Sequence, residues 1–142
     1  MKNKNGFTLI ELLAVIVVLA VIMVIATQQV NGVMAKARSN SFIESYQMVI
    51  RQGKTCAAQD TDASDQDECN YDLTDDYQLT VTASGDVYTV TLTATNSGKF
   101  ANMDLTQYGN AANDNKDGCD ATKIGAGASS CTKNSITGTF KK

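Results

Sequence analysis

The 142-residue chain contains no histidine, no proline and no tryptophan. Without histidine there is no Ser-His-Asp or Cys-His nucleophile pair, no HExxH zinc helix and no imidazole proton shuttle near neutral pH, which removes most common hydrolase chemistries. At average usage a chain of this length would hold about seven prolines, so their absence argues against polyproline linkers, collagen-like segments and a Pro-hinged two-domain layout. One globular unit is expected. A cationic surplus is missing too: the net charge is -3 and the pI near 4.8. The bulk of the chain therefore lacks the basic footprint of nucleic-acid binding.

The apolar residues are unevenly spread. From Phe7 to Ala26 only Thr8 and Glu11 are not apolar, and Leu12 to Ala26 run without a break. As a helix, Phe7 to Thr27 would reach roughly 31 Å, about one hydrocarbon thickness. Residues 27–142 are about 36% apolar, the composition of a modest soluble domain. Charge divides as well. Residues 28–54 set Lys36, Arg38, Arg51 and Lys54 against Glu44, whereas residues 55–142 hold thirteen Asp and Glu against six Lys. Such an acidic distal domain disfavours anionic membranes and nucleic acid, leaving any contact of that kind to Lys36, Arg38 or small local patches.

A basic leader, an apolar stretch and Val24-Ile25-Ala26 fit an ordinary secretory signal cleaved after Ala26. Glu11 argues against it, because a carboxylate inside an apolar segment costs about 2.5–3.5 kcal/mol at mid-bilayer and serves nothing in a disposable leader. The string from Lys4 to Leu13, K-N-G-F-T-L-I-E-L-L, closely resembles the class III signal of type IV prepilins and type II secretion pseudopilins. That resemblance covers about the first 50 residues, and its motif runs from Gly6 to Glu11. It implies that a dedicated prepilin peptidase cuts the Gly6–Phe7 bond, that Phe7 becomes an N-methylated terminus, and that Glu11 neutralises the terminal amine of a neighbouring subunit. An amine and a carboxylate are each costly in a low-dielectric filament core and much less so as a pair. The plainer reading of Glu11 is a side chain snorkelling to the cytoplasmic interface. Lys2 and Lys4 would hold the N-terminus inside, placing everything after Thr27 outside.

Past Thr27, Val30, Val33, Met34, Ala37, Phe42 or Ile43, Tyr46, Val49 and Ile50 keep helical spacing. One helix is expected over residues 8–53, stopped by Gly53-Lys54. Its first half is apolar all round and its second offers one face to a domain. Many pilins carry a proline near the position of Gln28. Its absence here predicts less kinking, with Gly32 and Gln28-Gln29 left as weak points. Four parts result: leader 1–6, hydrophobic transmembrane and assembly half 7–27, amphipathic half 28–54, and a disulfide-bearing β-sheet head 55–142.

In the head, residues 55–76 read as an acidic exposed loop. Residues 77–83 and 87–94 alternate apolar with Thr or Gln around Ser84-Gly85-Asp86, a β-hairpin signal. Leu79, Val81, Ala83, Tyr88, Val90, Leu92 and Ala94 should face the helix. The threonines face solvent or the next subunit and read as ordinary β-favourable surface. Phe100 to Leu105 form a candidate third strand and Ser135 to Phe140 a terminal one. The four cysteines allow three pairings. Cys56–Cys69 and Cys119–Cys131 are favoured because each brackets one polar loop, and closing such a loop stabilises by roughly 3 kcal/mol in the chain-entropy model. Their spacing does not make a zinc ribbon. A disulfide-closed C-terminal loop resembles the variable D-region of type IV pilins. Asn113, Asn115 and Asp117 approximate the start of an EF-hand calcium loop, but its twelfth position is Ile124 where a bidentate Glu belongs. A plain Asx-rich turn is the simpler reading, and no cofactor is expected.

The whole reads as an α+β, pilin-like chain: a long N-terminal helix packed on a small antiparallel sheet, and no enzyme. The resemblance implies a structural type IV pilin polymerising with other pilin subunits, with prepilin peptidase, a pilus assembly platform and the cytoplasmic membrane as earlier partners. Its places would be that membrane, single-pass and N-terminus inside, and then an extracellular pilus serving adhesion, motility or DNA uptake. One rival is a pseudopilin of a type II secretion or competence system, whose N-terminus would be the same. The Thr-rich hairpin, the two disulfides and the lack of a Trp- and Pro-containing C-terminal segment favour the pilin. The other rival, a monomeric membrane-anchored binding domain, leaves Glu11 without a use.

Overall fold

The computed structural model describes residues 5–95, 98–108 and 119–142. Helix α1 covers Leu9–Ala58, and the fold resolves into two units, one reaching Met34 and the other beginning at Ala35. The second unit holds the rest of α1 and an antiparallel sheet of β1 (Tyr77–Ser84), β2 (Val87–Ala94), β3 (Ala128–Cys131) and β4 (Ser135–Lys141), in the order β1-β2-β4-β3. A short α2 (Ala121–Ile124) precedes β3. The long N-terminal helix followed by a four-stranded antiparallel sheet is the expected α+β arrangement.

The hairpin follows from its alternation. Ser84 pairs with Val87 across the two-residue turn Gly85-Asp86, and the register runs through Val81↔Val90 and Leu79↔Leu92 to Tyr77↔Ala94. Tyr88, Val90, Leu92 and Ala94 are buried while the threonines between them are half-exposed. β1 departs from the expected pattern. Val81 is buried and Leu79 half-buried, but Ala83 is exposed, because β1 is an edge strand and its turn-proximal end extends past the core. The candidate terminal strand at 135–140 is present as β4, whose Tyr88↔Phe140, Val90↔Gly138 and Leu92↔Ile136 pairs complete the inner face. The Tyr88 and Phe140 rings stack with centroids 5.1 Å apart.

The face that α1 turns to this sheet begins later than the periodicity suggests. Val30, Val33 and Met34 belong to the first unit and are exposed, as is Ala37; the buried row is Ser39, Phe42, Tyr46, Val49 and Ile50. The helix also continues past Gly53 to Ala58. Gly53 is no stop signal but a point of close approach: a Cβ there would lie 2.6 Å from Phe140 Cζ and 2.9 Å from the Tyr71 hydroxyl. Gly138 answers it from the sheet, where a Cβ would collide with the Tyr46 hydroxyl. The missing side chains let helix and sheet meet over Tyr46 and Phe140, and this contact outweighs the roughly 1 kcal/mol that a mid-helix glycine costs.

Residues 100–105 form no strand. The segment folds as 3₁₀ turns at Gly98–Phe100 and Leu105–Tyr108. Its own turns, Lys133 O and side chains of α1 satisfy its backbone in place of a neighbouring strand. Arg38 Nη1 donates to Ala101 O at 2.5 Å, and Ser39 Oγ, fully buried, accepts from Asp104 N at 3.3 Å while its own proton lies between Ala35 O at 2.9 Å and Asp104 O at 3.2 Å. Phe100, Met103 and Leu105 are thereby pinned in the core, with Phe100 edge-on to Phe42. The acidic stretch before β1 is largely exposed but anchored by Ala63 and Tyr71, both buried, with the Tyr71 hydroxyl donating to Ala63 O at 2.8 Å.

Gly53→Ala should therefore destabilise the head by about 1–3 kcal/mol through overpacking, despite alanine's better helix propensity; thermal melting of the full chain in detergent measures it. Burial pushes the phenols of Tyr46 and Tyr71 up to about 12. The folded state holds these protons more tightly than the unfolded chain, so this contribution to stability is complete below the ordinary value near 10 and is lost as pH rises through 12. Melting temperature should fall steeply over that interval, and less steeply in Tyr46→Phe.

Candidate functional site: the N-terminal motif

Residues 5–8 are irregular and exposed, so the Gly6–Phe7 bond lies in open chain just ahead of α1. No atom comes within 4 Å of a Cβ built on Gly6, and Phe7 is 90% exposed. The bond is thus accessible, and no contact among the described residues requires glycine at position 6.

The helix start is built by two side chains. Thr8 Oγ1 accepts the Glu11 N–H at 3.4 Å, and Glu11 Oε2 accepts the Thr8 N–H at 2.9 Å. The backbone N–H groups of Glu11 and Leu12 both donate to Thr8 O. This is a reciprocal capping box, T-x-x-E, with Thr8 as N-cap and Glu11 at the third helical position. It satisfies donors that the first turn leaves open and puts a carboxylate at the positive end of the helix dipole. The sequence reading missed it, although Thr8-Leu9-Ile10-Glu11 before an apolar run is the signature of such a cap. Glu11 is therefore not an unsupported charge. One of its oxygens is engaged by its own backbone, and Oε1 has no partner among the described residues. Phe7 and Glu11 also flank one open hollow of about 560 Å³, floored by Leu12, Ala14 and Val15.

The large apolar side chains from Leu9 to Ile25 are 53–86% exposed. Mean hydropathy reaches 3.2 over an 18-residue window, and α1 is long and apolar enough to cross a membrane. Apolar surface of this extent cannot persist in water and needs lipid or other helices around it.

In the head the structure brings Cys56 to Cys69 and Cys119 to Cys131 at disulfide distance, with Cα atoms 5.5 and 5.6 Å apart. These are the pairs favoured by the loop argument. Asn113, Asn115 and Asp117 lie outside the described residues, while Ile124 is buried at the end of α2. Among the described residues no group of three or more Asp, Glu, Cys or His could hold a metal ion.

Residues 1–27 match the family model of the prokaryotic N-terminal methylation motif. No curated protein and no solved structure matches the chain. The matched region contains the Gly6–Phe7 bond, the capping box and most of the exposed apolar surface. The chain thus carries the class III signal of type IV pilin and pseudopilin precursors, and its apolar helix fits a membrane-anchored precursor.

The cap is open to test by substitution. Glu11→Gln keeps a side chain that can cap and should leave the helix start intact, whereas Glu11→Ala or Thr8→Ala should fray it at a cost of about 0.5–2 kcal/mol. Amide exchange at Leu9 to Leu12 in micelles distinguishes them.

Proposed function

We propose that the chain is the structural subunit of a type IV pilus, made as a membrane-anchored precursor, cut after Gly6 by prepilin peptidase, N-methylated at Phe7 and polymerised through its N-terminal helices into an extracellular filament. The observation that supports this most directly is the matched motif itself: an accessible Gly6–Phe7 bond, one capped carboxylate, and then an exposed apolar helix surface. Neighbouring copies would supply the apolar cover this surface needs. Cleavage would create a terminal amine on Phe7, and Glu11 Oε1 would receive such an amine from an adjacent subunit, an ion pair far less costly in a dry bundle than either charge alone. The positive-inside rule applied to Lys2 and Lys4 sets the head outside. The chain acts by assembly and not by catalysis. The disulfides and Thr-rich hairpin favour a surface pilus over a secretion pseudopilus.

Replacing Gly6 by valine should leave a membrane-bound precursor that keeps its leader, read by intact mass. A mature chain beginning at Thr27 would instead identify an ordinary secreted domain. Glu11→Ala and Glu11→Gln should both be processed yet yield few sheared surface fibres in electron micrographs; abundant fibres from the glutamine variant would remove the charge from the assembly mechanism and leave only its cap.

A further inference from the structure

A second feature lies at the other end of α1 and plays no part in the N-terminal chemistry. Where the last turns of the helix meet the loop at residues 68–70, a hollow of about 380 Å³ opens beside the Cys56–Cys69 pair, within the size range of small-ligand sites. It is lined by Arg51 and Gln52 from α1, Gln59 just after it, and Glu68 and Asn70 from the loop. Arg51 and Glu68 do not neutralise each other, since the ion pair found among the described residues joins Lys142 to Asp60. The side chains of Gln59 and Asn70 likewise have no hydrogen-bond partner among the described residues. Gln52 Oε1 is buried without a donor, a state that costs about 1–3 kcal/mol in a native protein and needs an explanation.

We infer that this hollow binds a small zwitterion, a free α-amino acid, with its carboxylate on Arg51 and its ammonium on Glu68. The charge pattern selects the class. A simple anion would also meet Glu68 and a simple cation would also meet Arg51, whereas a molecule bearing an amine and a carboxylate on one carbon can satisfy both lining charges. The guanidinium fork suits a carboxylate bidentately. The amides of Gln59 and Asn70 can then read the side chain, and Gln52 gains a donor once its amide turns toward the occupant. No aromatic side chain lines the hollow to stack a sugar ring. The Cys56–Cys69 pair fixes the spacing of the two lining charges by tying the helix end to the loop.

The test is a titration of the full ¹⁵N-labelled chain in micelles with L-glutamine, acetate and methylamine separately, following backbone amides by NMR. L-Glutamine should shift Gln52 and Asn70 saturably in the millimolar range, at least tenfold more tightly than either single-charge probe. Arg51→Gln and Glu68→Gln should each weaken it about tenfold or more, as expected for loss of a charge-assisted hydrogen bond. Both residues are exposed, so spectra elsewhere should be unchanged, which separates lost binding from lost fold. Absence of saturable shifts, equal affinity for acetate or methylamine, or unaltered binding by the two variants would overturn the inference.

Discussion

A helix that shows water leucine, isoleucine and valine over most of its first 17 residues sets the terms for the rest of the chain. Its surface is stable only when something apolar surrounds it, and lipid and sister helices are the two environments that provide this. The N-terminal chemistry is arranged around that demand. Glu11 is the one ionisable group placed in the segment, and Thr8 makes it tolerable by turning it into part of the helix start. The same carboxylate can thus sit at the end of an isolated helix and still present its other oxygen to a partner.

In the head the demand is reversed, because one face of the helix must be covered by the chain itself. The cover is made by close approach. Two glycines, one on α1 and one on β4, stand where side chains would keep the layers apart, and large rings occupy the gap. The remaining segment, from Gly98 to Tyr108, is held by three consecutive positions of the helix: Arg38 and Ser39 bond its backbone, and Asn40 Oδ1 accepts from the Tyr108 hydroxyl. The helix is thus both a wall of the core and a template for the loop lying on it.

Much of this was legible in the residues. The hairpin and the terminal strand follow from period-two alternation, and the N-terminal motif carries its own chemistry in a short string. Three features were not. Gly53 has the same letter as a helix stop, and only the presence of Phe140 and Tyr71 above it reveals a packing site. The segment around Met103 has the apolar content of a strand, but its hydrogen-bond partners are its own tight turns, Lys133 O and helix side chains far away in sequence. β3 is four residues of Ala, Ser and Cys, too short and too weakly apolar to show a period. In each case the deciding contact was long-range, which propensity and local pattern cannot register. The cap at Thr8 is different, since Thr8-Leu9-Ile10-Glu11 carries its signature locally.

The pairing of Cys56 with Cys69 sits in the last turn of α1, at the end opposite the anchor. Force pulling on the head through the helix at Ala35 would be resisted by Phe42, Tyr46, Val49 and Ile50 together, where they pack into the core against the sheet. The covalent tie lies beyond that row, so the helix could not slip out of its seat without drawing the loop with it. A subunit built this way would yield by shifting a whole packed layer rather than by unzipping one residue at a time.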